Sequence, residues 1–173
     1  MMKDQPTVDT GDAYRQGMRR LAAGVSLITT QDRGQRHGMV ATAVTSVTAE
    51  PPTLLVCVNR EASIHAPLLA AGRFGVNVLS EEHSALPPIF GNSGQRARRF
   101  DHGDWYDLLG IPVLCGAEVT FICEAEEHSS VGSHAVILGR VVDVLELRTE
   151  LRPLIWHEGE IRKLAKEAGL WIK

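Results

Sequence analysis

The chain has 173 residues, 44% of them hydrophobic, enough for one domain with a sizeable core. A net charge of −3 gives no general attraction to nucleic acid or to an anionic membrane, and no apolar run approaches the ~18 residues of a membrane span. Three cysteines, Cys57, Cys115 and Cys123, are odd in number and lack C-x-x-C spacing, so they read as small hydrophobes of a protein kept in a reducing cytoplasm.

The opening MMKDQPTVDTGDAYRQ has no apolar centre, so no signal peptide is expected, and residues 1–13 read as a disordered lead-in to a single domain over 14–173. Tyr14 to Ala23 places Met18, Leu21 and Ala22 at helical spacing, with Gly24 as the stop. Val25 to Thr30 is rich in β-branched residues and predicts a strand, and Asp32-Arg33-Gly34 predicts a hairpin turn into the next one. From Val40 to Thr48 the chain interleaves Val and Ala with Thr and Ser, the composition of a strand that something else approaches closely. Pro51-Pro52 forces a turn, after which Thr53 to Val58 is a continuous apolar run, expected to be buried on both faces. These strands predict an antiparallel meander. Asn59 to Ser63 then ends it in a donor-rich loop, and the whole stretch makes a cradle for a flat ligand with a phosphate tail.

Ser63 is a candidate cap for a helix over 64–71 closed by Gly72, Phe74 to Leu79 predicts a strand, and Ser80 with Glu82 and His83 marks a helix start cut short by Pro87-Pro88. Gly91 to Asp104, with Arg96, Arg98 and Arg99 among glycines, predicts a mobile surface loop. Ala117 to Ala125 alternates as a long strand, Glu126 to Ser130 predicts a turn, and His134 opens a strand whose Ala135, Ile137, Gly139, Val141 and Asp143 share a face. Leu154 to His157 predicts the last strand, Glu158-Gly159 a hairpin turn, and Leu164 to Lys173 a helix or tail. Roughly seven strands with a few short helices point to a closed antiparallel β-structure, without separating barrel from sandwich.

Four features carry a resemblance. Gly38, Ala41, Thr42, Ala43, Ser46, Val47, Pro51 and Pro52 fall in step with G-x-T-A-S-A-x-x-S-V-S-x-x-P-P; Phe74 to Ser80 reads F-x-V-N-V-L-S; Gly132-Ser133-His134 stands where G-D-H is usual; and Trp156 with His157 stands where P-L-x-Y-x-x-G places aromatics. From Tyr14 to Leu164 the chain resembles the short-chain flavin reductases, the reductase components of two-component flavin-dependent monooxygenases. The resemblance implies a mainly β FMN-binding split barrel that dimerises. It implies hydride transfer from NADH or NADPH to FMN or FAD, and release of reduced flavin to a separate monooxygenase. A barrel that holds flavin tightly as a carrier is the alternative.

In that light Thr42, Ala43, Val44, Ser46 and Val47 would meet the flavin ring through backbone amides and hydroxyls, although Thr and Ser also suit any half-buried strand. Asn59, Arg60 and Ser63 would meet the phosphate, unless they only cap and solvate a helix start; the basic loop Arg96-Ala97-Arg98-Arg99, either a solvated face or a binder of the FAD tail, is the second candidate, with Arg96 chosen from it. His134 would lie beside the nicotinamide, where Ser133 in place of the family's Asp removes a carboxylate. Trp156 and His157 either cover the ring or pack a core or subunit interface. Metal is not expected: there is no H-x-x-E-H or H-E-x-x-H, and without G-x-G-x-x-G or a P-loop no Rossmann unit holds the nucleotide.

Overall fold

The structure, a computed structural model, describes residues 9–145 and 148–164. Helix α1 runs over Thr10–Arg19, so residues 10–13, expected in the lead-in, are helical; Asp9 accepts from the Gly11 amide and caps it. The helix therefore starts and stops four residues before the expected bounds, and Gly24 belongs instead to a short strand β1, Ala23–Gly24. Strands β2 (Ser26–Asp32) and β3 (Gln35–Ala41) form the expected hairpin, with Arg33 and Gly34 at positive φ in its two-residue turn.

The stretch Val40 to Thr48 is not one strand. It breaks at Thr42-Ala43, and β4 (Val44–Ala49) pairs with β5 (Pro52–Asn59), not with β3. After β5 come α2 (His65–Ala71), β6 (Arg73–Val78), α3 (Leu86–Phe90), β7 (Trp105–Leu108), β8 (Ile111–Leu114), β9 (Val119–Val131), β10 (His134–Leu145), β11 (Leu154–His157) and β12 (Glu160–Lys163).

Seven strands make one antiparallel sheet in the order β3-β2-β6-β9-β10-β5-β4. Its two edge strands are consecutive in the chain and only Thr42 and Ala43 join them. The three Cα steps from Ala41 to Val44 reach at most about 11 Å, so the sheet must curl until its edges nearly meet. Because those edges do not pair, the result is a split barrel and not a meander.

Ile28, Val56, Phe74, Cys123 and Ile137 fill the barrel with Ile64 and Leu68 from the α2 end; the outside of β2 is covered by Leu79, Leu86, Phe90 and Leu154. It is thus β2 that is buried on both faces, whereas β5 alternates, with Leu54, Val56 and Val58 inward and Leu55 and Cys57 half-buried. Burial pushes the Cys123 thiol up to about 12, so it stays protonated.

At the centre of the wall Asn77 is fully buried. Its amide donates to the Leu27 carbonyl (3.1 Å) and Thr29 Oγ1 (3.0 Å), and its oxygen accepts from the Leu114 amide (2.9 Å) and Thr120 Oγ1 (3.1 Å). One side chain thereby ties β2, β6, β8 and β9, which gives the N of the F-x-V-N-V-L-S motif a structural reason.

Several local expectations fail for identifiable reasons. Ile64, not Ser63, occupies the α2 N-cap, and no side chain caps it; Gly72 closes the helix at φ 66° as expected. Ser80 begins only a 3₁₀ turn over Glu81–His83, and Pro87-Pro88 lie in the first turn of α3, where their missing N–H groups cost nothing. Residues Ser93–Asp101, expected as a surface loop, form a largely exposed 3₁₀ segment anchored by Arg99 and by Phe100 packed against Phe90 and Trp105. Glu126 to Ser130 continue β9, and the turn falls at Gly132, φ 56°. Glu158-Gly159 leads into β12, so β11 is not last; the helix or tail expected over 164–173 lies, beyond Leu164, outside the described residues.

Candidate functional site

The break at Thr42-Ala43 opens a cleft. Thr42 and the end of β3 (Val40, Ala41) meet Pro87, Pro88 and Gly91 of α3 and Trp156 and Ile161 of the β11–β12 hairpin around a cavity of about 460 Å³. This part is largely apolar and has room for a flat ring system. Thr42 and Trp156 are shared with a second hollow of about 550 Å³ under α1, beside Tyr14, Met18 and Leu21. In the other direction Val40 and Gly91 are shared with a cavity of about 310 Å³ lined by Ser63, Arg96 and Arg99, which continues through those three into a recess of about 170 Å³ beside His37 and Phe100. Shared walls make a run of hollows, apolar at one end and cationic at the other.

Local sequence explains the cationic end. A Cβ on Gly38 would stand 2.6 Å from Cε1 of Phe90 and 3.2 Å from Cζ of Phe100, so only glycine lets both rings pack on β3. With the rings seated there, Arg99 reaches back to donate from Nη1 to the Gly38 carbonyl (2.7 Å) and from Nη2 to the Asn92 carbonyl (3.1 Å). Arg99 is 6% exposed and its buried Nε has no acceptor. Desolvation and then the neighbouring Arg96 push its guanidinium below the ordinary value. His37 is likewise pushed down, first by burial; Asp32 opposes the shift and Arg96 adds to it.

The predicted residues separate into three groups. Thr42 and Ala43 line the cleft; Val44 packs against the barrel core; Ser46 and Val47 lie further along the exposed edge strand, at the β-bulge between Ser46 and Thr48, and line none of these cavities. Asn59 faces His134 across the β5–β10 ladder, and the Arg60 amide donates to the Ser133 carbonyl (2.9 Å). Ser133 Oγ lies 2.9 Å from His134 Nδ1, and His134 is exposed. Because the Cys57 amide donates to the Ala43 carbonyl (3.1 Å), this corner and the Thr42-Ala43 break lie at the same end of the barrel. Ser63 and Arg96 share the cationic cavity. Arg60 is engaged elsewhere, its Nη1 3.4 Å from the Gly132 carbonyl, and Asn59 Oδ1 is taken by the Glu61 amide (2.9 Å).

Sequence reasoning weighed the basic loop Arg96-Ala97-Arg98-Arg99 as a whole and settled on Arg96, passing over the buried Arg99. Its signal was the phenylalanine beside it: Arg99-Phe100 is a charged-apolar pair that anchors a segment, where Arg96 and Arg98 are flanked by Gln95 and Ala97. It also missed the α3 prolines as cleft walls, since that residue type does not announce a ligand. A buried cation with an orphaned donor beside an apolar slot fits a flat group with an anionic tail, which is the shape and charge of a flavin nucleotide. Among the described residues no group of His, Cys, Asp and Glu side chains could hold a metal ion.

Comparison with known proteins gives the same direction. Residues 18–165 match the flavin reductase like domain. The chain is 42% identical over 130 residues, 75% of its own length and 68% of the relative's, to the FMN reductase (NADH) RutF of Pantoea ananatis. Its fold superposes with TM-score 0.87 on the NADH:FAD oxidoreductase SgcE6 of Streptomyces globisporus, solved with NAD and FAD fragments, at 27% identity over 95% of this chain and all of that one. The styrene monooxygenase flavin reductase of Pseudomonas putida S12 matches with TM-score 0.81 and 25% identity, covering 90% of this chain and 99% of the other. With the domain match spanning most of its length and the split barrel in place, this chain belongs to the flavin reductase like domain family.

Proposed function

We propose that the chain is an NADH-dependent flavin reductase that takes up FMN or FAD, reduces it and releases it to a separate monooxygenase. The observation that carries this is the run of hollows from Trp156 and Thr42, over Val40 and Gly91, to Ser63, Arg96 and Arg99. A bound flavin accepts the hydride that a nicotinamide gives up, so the chain's own residues need only align and shelter the two rings. Pro87, Pro88 and Trp156 would exclude water from the ring slot, and backbone groups of Thr42 and Ala43 would hold its polar edge. The exposed imidazole of His134, held by Ser133, would set the nicotinamide from the β10 corner.

A homodimer completes the proposal. β4 is an unpaired sheet edge, and Val47, Val131, Val142 and Val144 stay exposed, a pattern that a second copy would cover. In such a dimer Ser46 and Val47 would serve the interface or the neighbour's cleft. No described helix is long and apolar enough to cross a membrane, and the cysteines are free, which accords with work in the cytoplasm.

The test is NADH oxidation with added FMN, then FAD, beside the absorbance spectrum of the purified protein. A nearly colourless protein that turns over NADH with free flavin is expected; a yellow protein that oxidises neither NADH nor NADPH would make it a flavin carrier. His134→Ala should lower kcat/KM for NADH by roughly tenfold or more, the scale of a lost positioning contact, with flavin affinity kept. Unchanged turnover would remove His134 from the site.

A further inference from the structure

Arg99 carries a charge that its surroundings leave uncompensated. Buried cations are almost always paired, because desolvation of an isolated charge is costly. Here two backbone carbonyls hold the guanidinium, Nε has no acceptor, and among the described residues no carboxylate forms an ion pair with it. Arg96 worsens the imbalance by lowering its proton affinity further, and Glu61, the carboxylate on the cavity wall, is exposed to solvent. Arg60 and Asn59, which the sequence also offered for a phosphate, line neither cavity of the cationic end, and Arg60 bonds the β9–β10 turn instead.

We propose that Arg99 is the residue by which this site recognises the phosphate monoester of its flavin, with Ser63 and Arg96 as lesser donors on the same cavity wall. The assignment rests on the flavin reading above and adds to it the residue and the charge it selects. A phosphate monoester brings close to two negative charges at neutral pH and several acceptor oxygens. Riboflavin, with the same ring and a neutral tail, would leave Arg99 as unbalanced as before. The planar fork of the guanidinium, held by the Gly38 and Asn92 carbonyls, lines the cavity already fixed, so binding costs little further side-chain freedom.

The experiment is equilibrium binding of FMN and of riboflavin, read by flavin fluorescence, to the full chain and to Arg99→Gln and Arg96→Gln. The wild-type chain is expected to bind FMN roughly 10–100-fold more tightly than riboflavin, the range for hydrogen bonds to a charged group. Arg99→Gln should bring FMN to riboflavin's level and leave riboflavin nearly unchanged, whereas Arg96→Gln should keep most of the preference. A purely structural role for Arg99 would weaken both flavins together. Should Arg99→Gln fail to fold, Arg99→Lys keeps the charge, and in wild-type protein the NMR signal of the Arg99 Nε–H should move with FMN but not with riboflavin. A preference that survives Arg99→Gln, that vanishes in Arg96→Gln alone, or a resonance indifferent to FMN overturns the assignment while leaving the flavin site intact. If the wild-type chain binds neither flavin, the flavin reading itself fails, and the assignment with it.

Discussion

Asn77 and Arg99 are both buried polar side chains, and they differ in how completely they are satisfied. Asn77 uses both amide donors and both acceptor positions inside the barrel wall, and nothing is left over. Arg99 uses part of its guanidinium on two carbonyls and keeps a charge and a donor unmatched beside a cavity. A closed set of hydrogen bonds holds a fold together. An open one, which costs stability in the free protein, is what a ligand can complete.

The largest expected effect tests the closed set. Asn77→Ala strips partners from the Leu27 carbonyl, Thr29 Oγ1, the Leu114 amide and Thr120 Oγ1 at once, and each buried group left unmatched is costly. Urea unfolding should show a loss of roughly 3–5 kcal/mol, the upper range for a broken buried network. A loss below about 1 kcal/mol, ordinary for a surface change, would break the contrast by showing that Asn77 is not structural.

Gly38→Ala sharpens it from the other side. The new methyl meets Phe90 and Phe100, so the rings must give way and the carbonyl that steadies Arg99 shifts with them. A cost of about 1–3 kcal/mol is expected, as for overpacked cores. FMN affinity should fall further than riboflavin affinity, because Arg99 loses its fixed geometry. Equal losses for the two flavins would mean that β3 packing and phosphate recognition are unconnected.

Much of this was legible in the residues. The Arg33-Gly34 hairpin, the αL glycine after α2 and the strand over Phe74 to Leu79 follow from local rules, and the split barrel followed once the Gly38 and Asn77 motifs were placed in a family. What local reasoning could not see was long-range. Nothing near Thr42 says that β4 leaves β3 for the far edge of the sheet, since that choice is made by pairing with β5. Phe100 beside Arg99 separates it only weakly from Arg96 and Arg98, since its burial is set by Phe90 packing on Gly38, far away in sequence. A glycine chosen for a distant ring looks the same as one chosen for a turn.

His83 lies between the two cases and gives the smallest effect. Its Nε2 donates to the Cys115 carbonyl (3.2 Å), which leaves Nδ1 unprotonated to accept from Ser80 Oγ (2.9 Å). The neutral ring is fully used, and a second proton would set Nδ1 as a donor against that hydroxyl. Burial pushes the ring below the ordinary 6.5; the Cys115 carbonyl, Glu82 and Glu118 oppose the shift and Arg148 adds to it. The unfolded chain therefore takes up this proton first on acidification. Stability contributed by neutral His83 is present above 6.5 and is lost as pH falls through the lower folded value. His83→Gln keeps a neutral side chain without the titration, so its stability should fall less steeply below 6.5, by a fraction of the ~1.4 kcal/mol per pH unit that one full proton allows, since the ring is partly solvated. Parallel curves for wild type and variant would show that His83 contributes no proton to unfolding, and that its hydrogen bonds, unlike those of Asn77, are maintained without regard to charge.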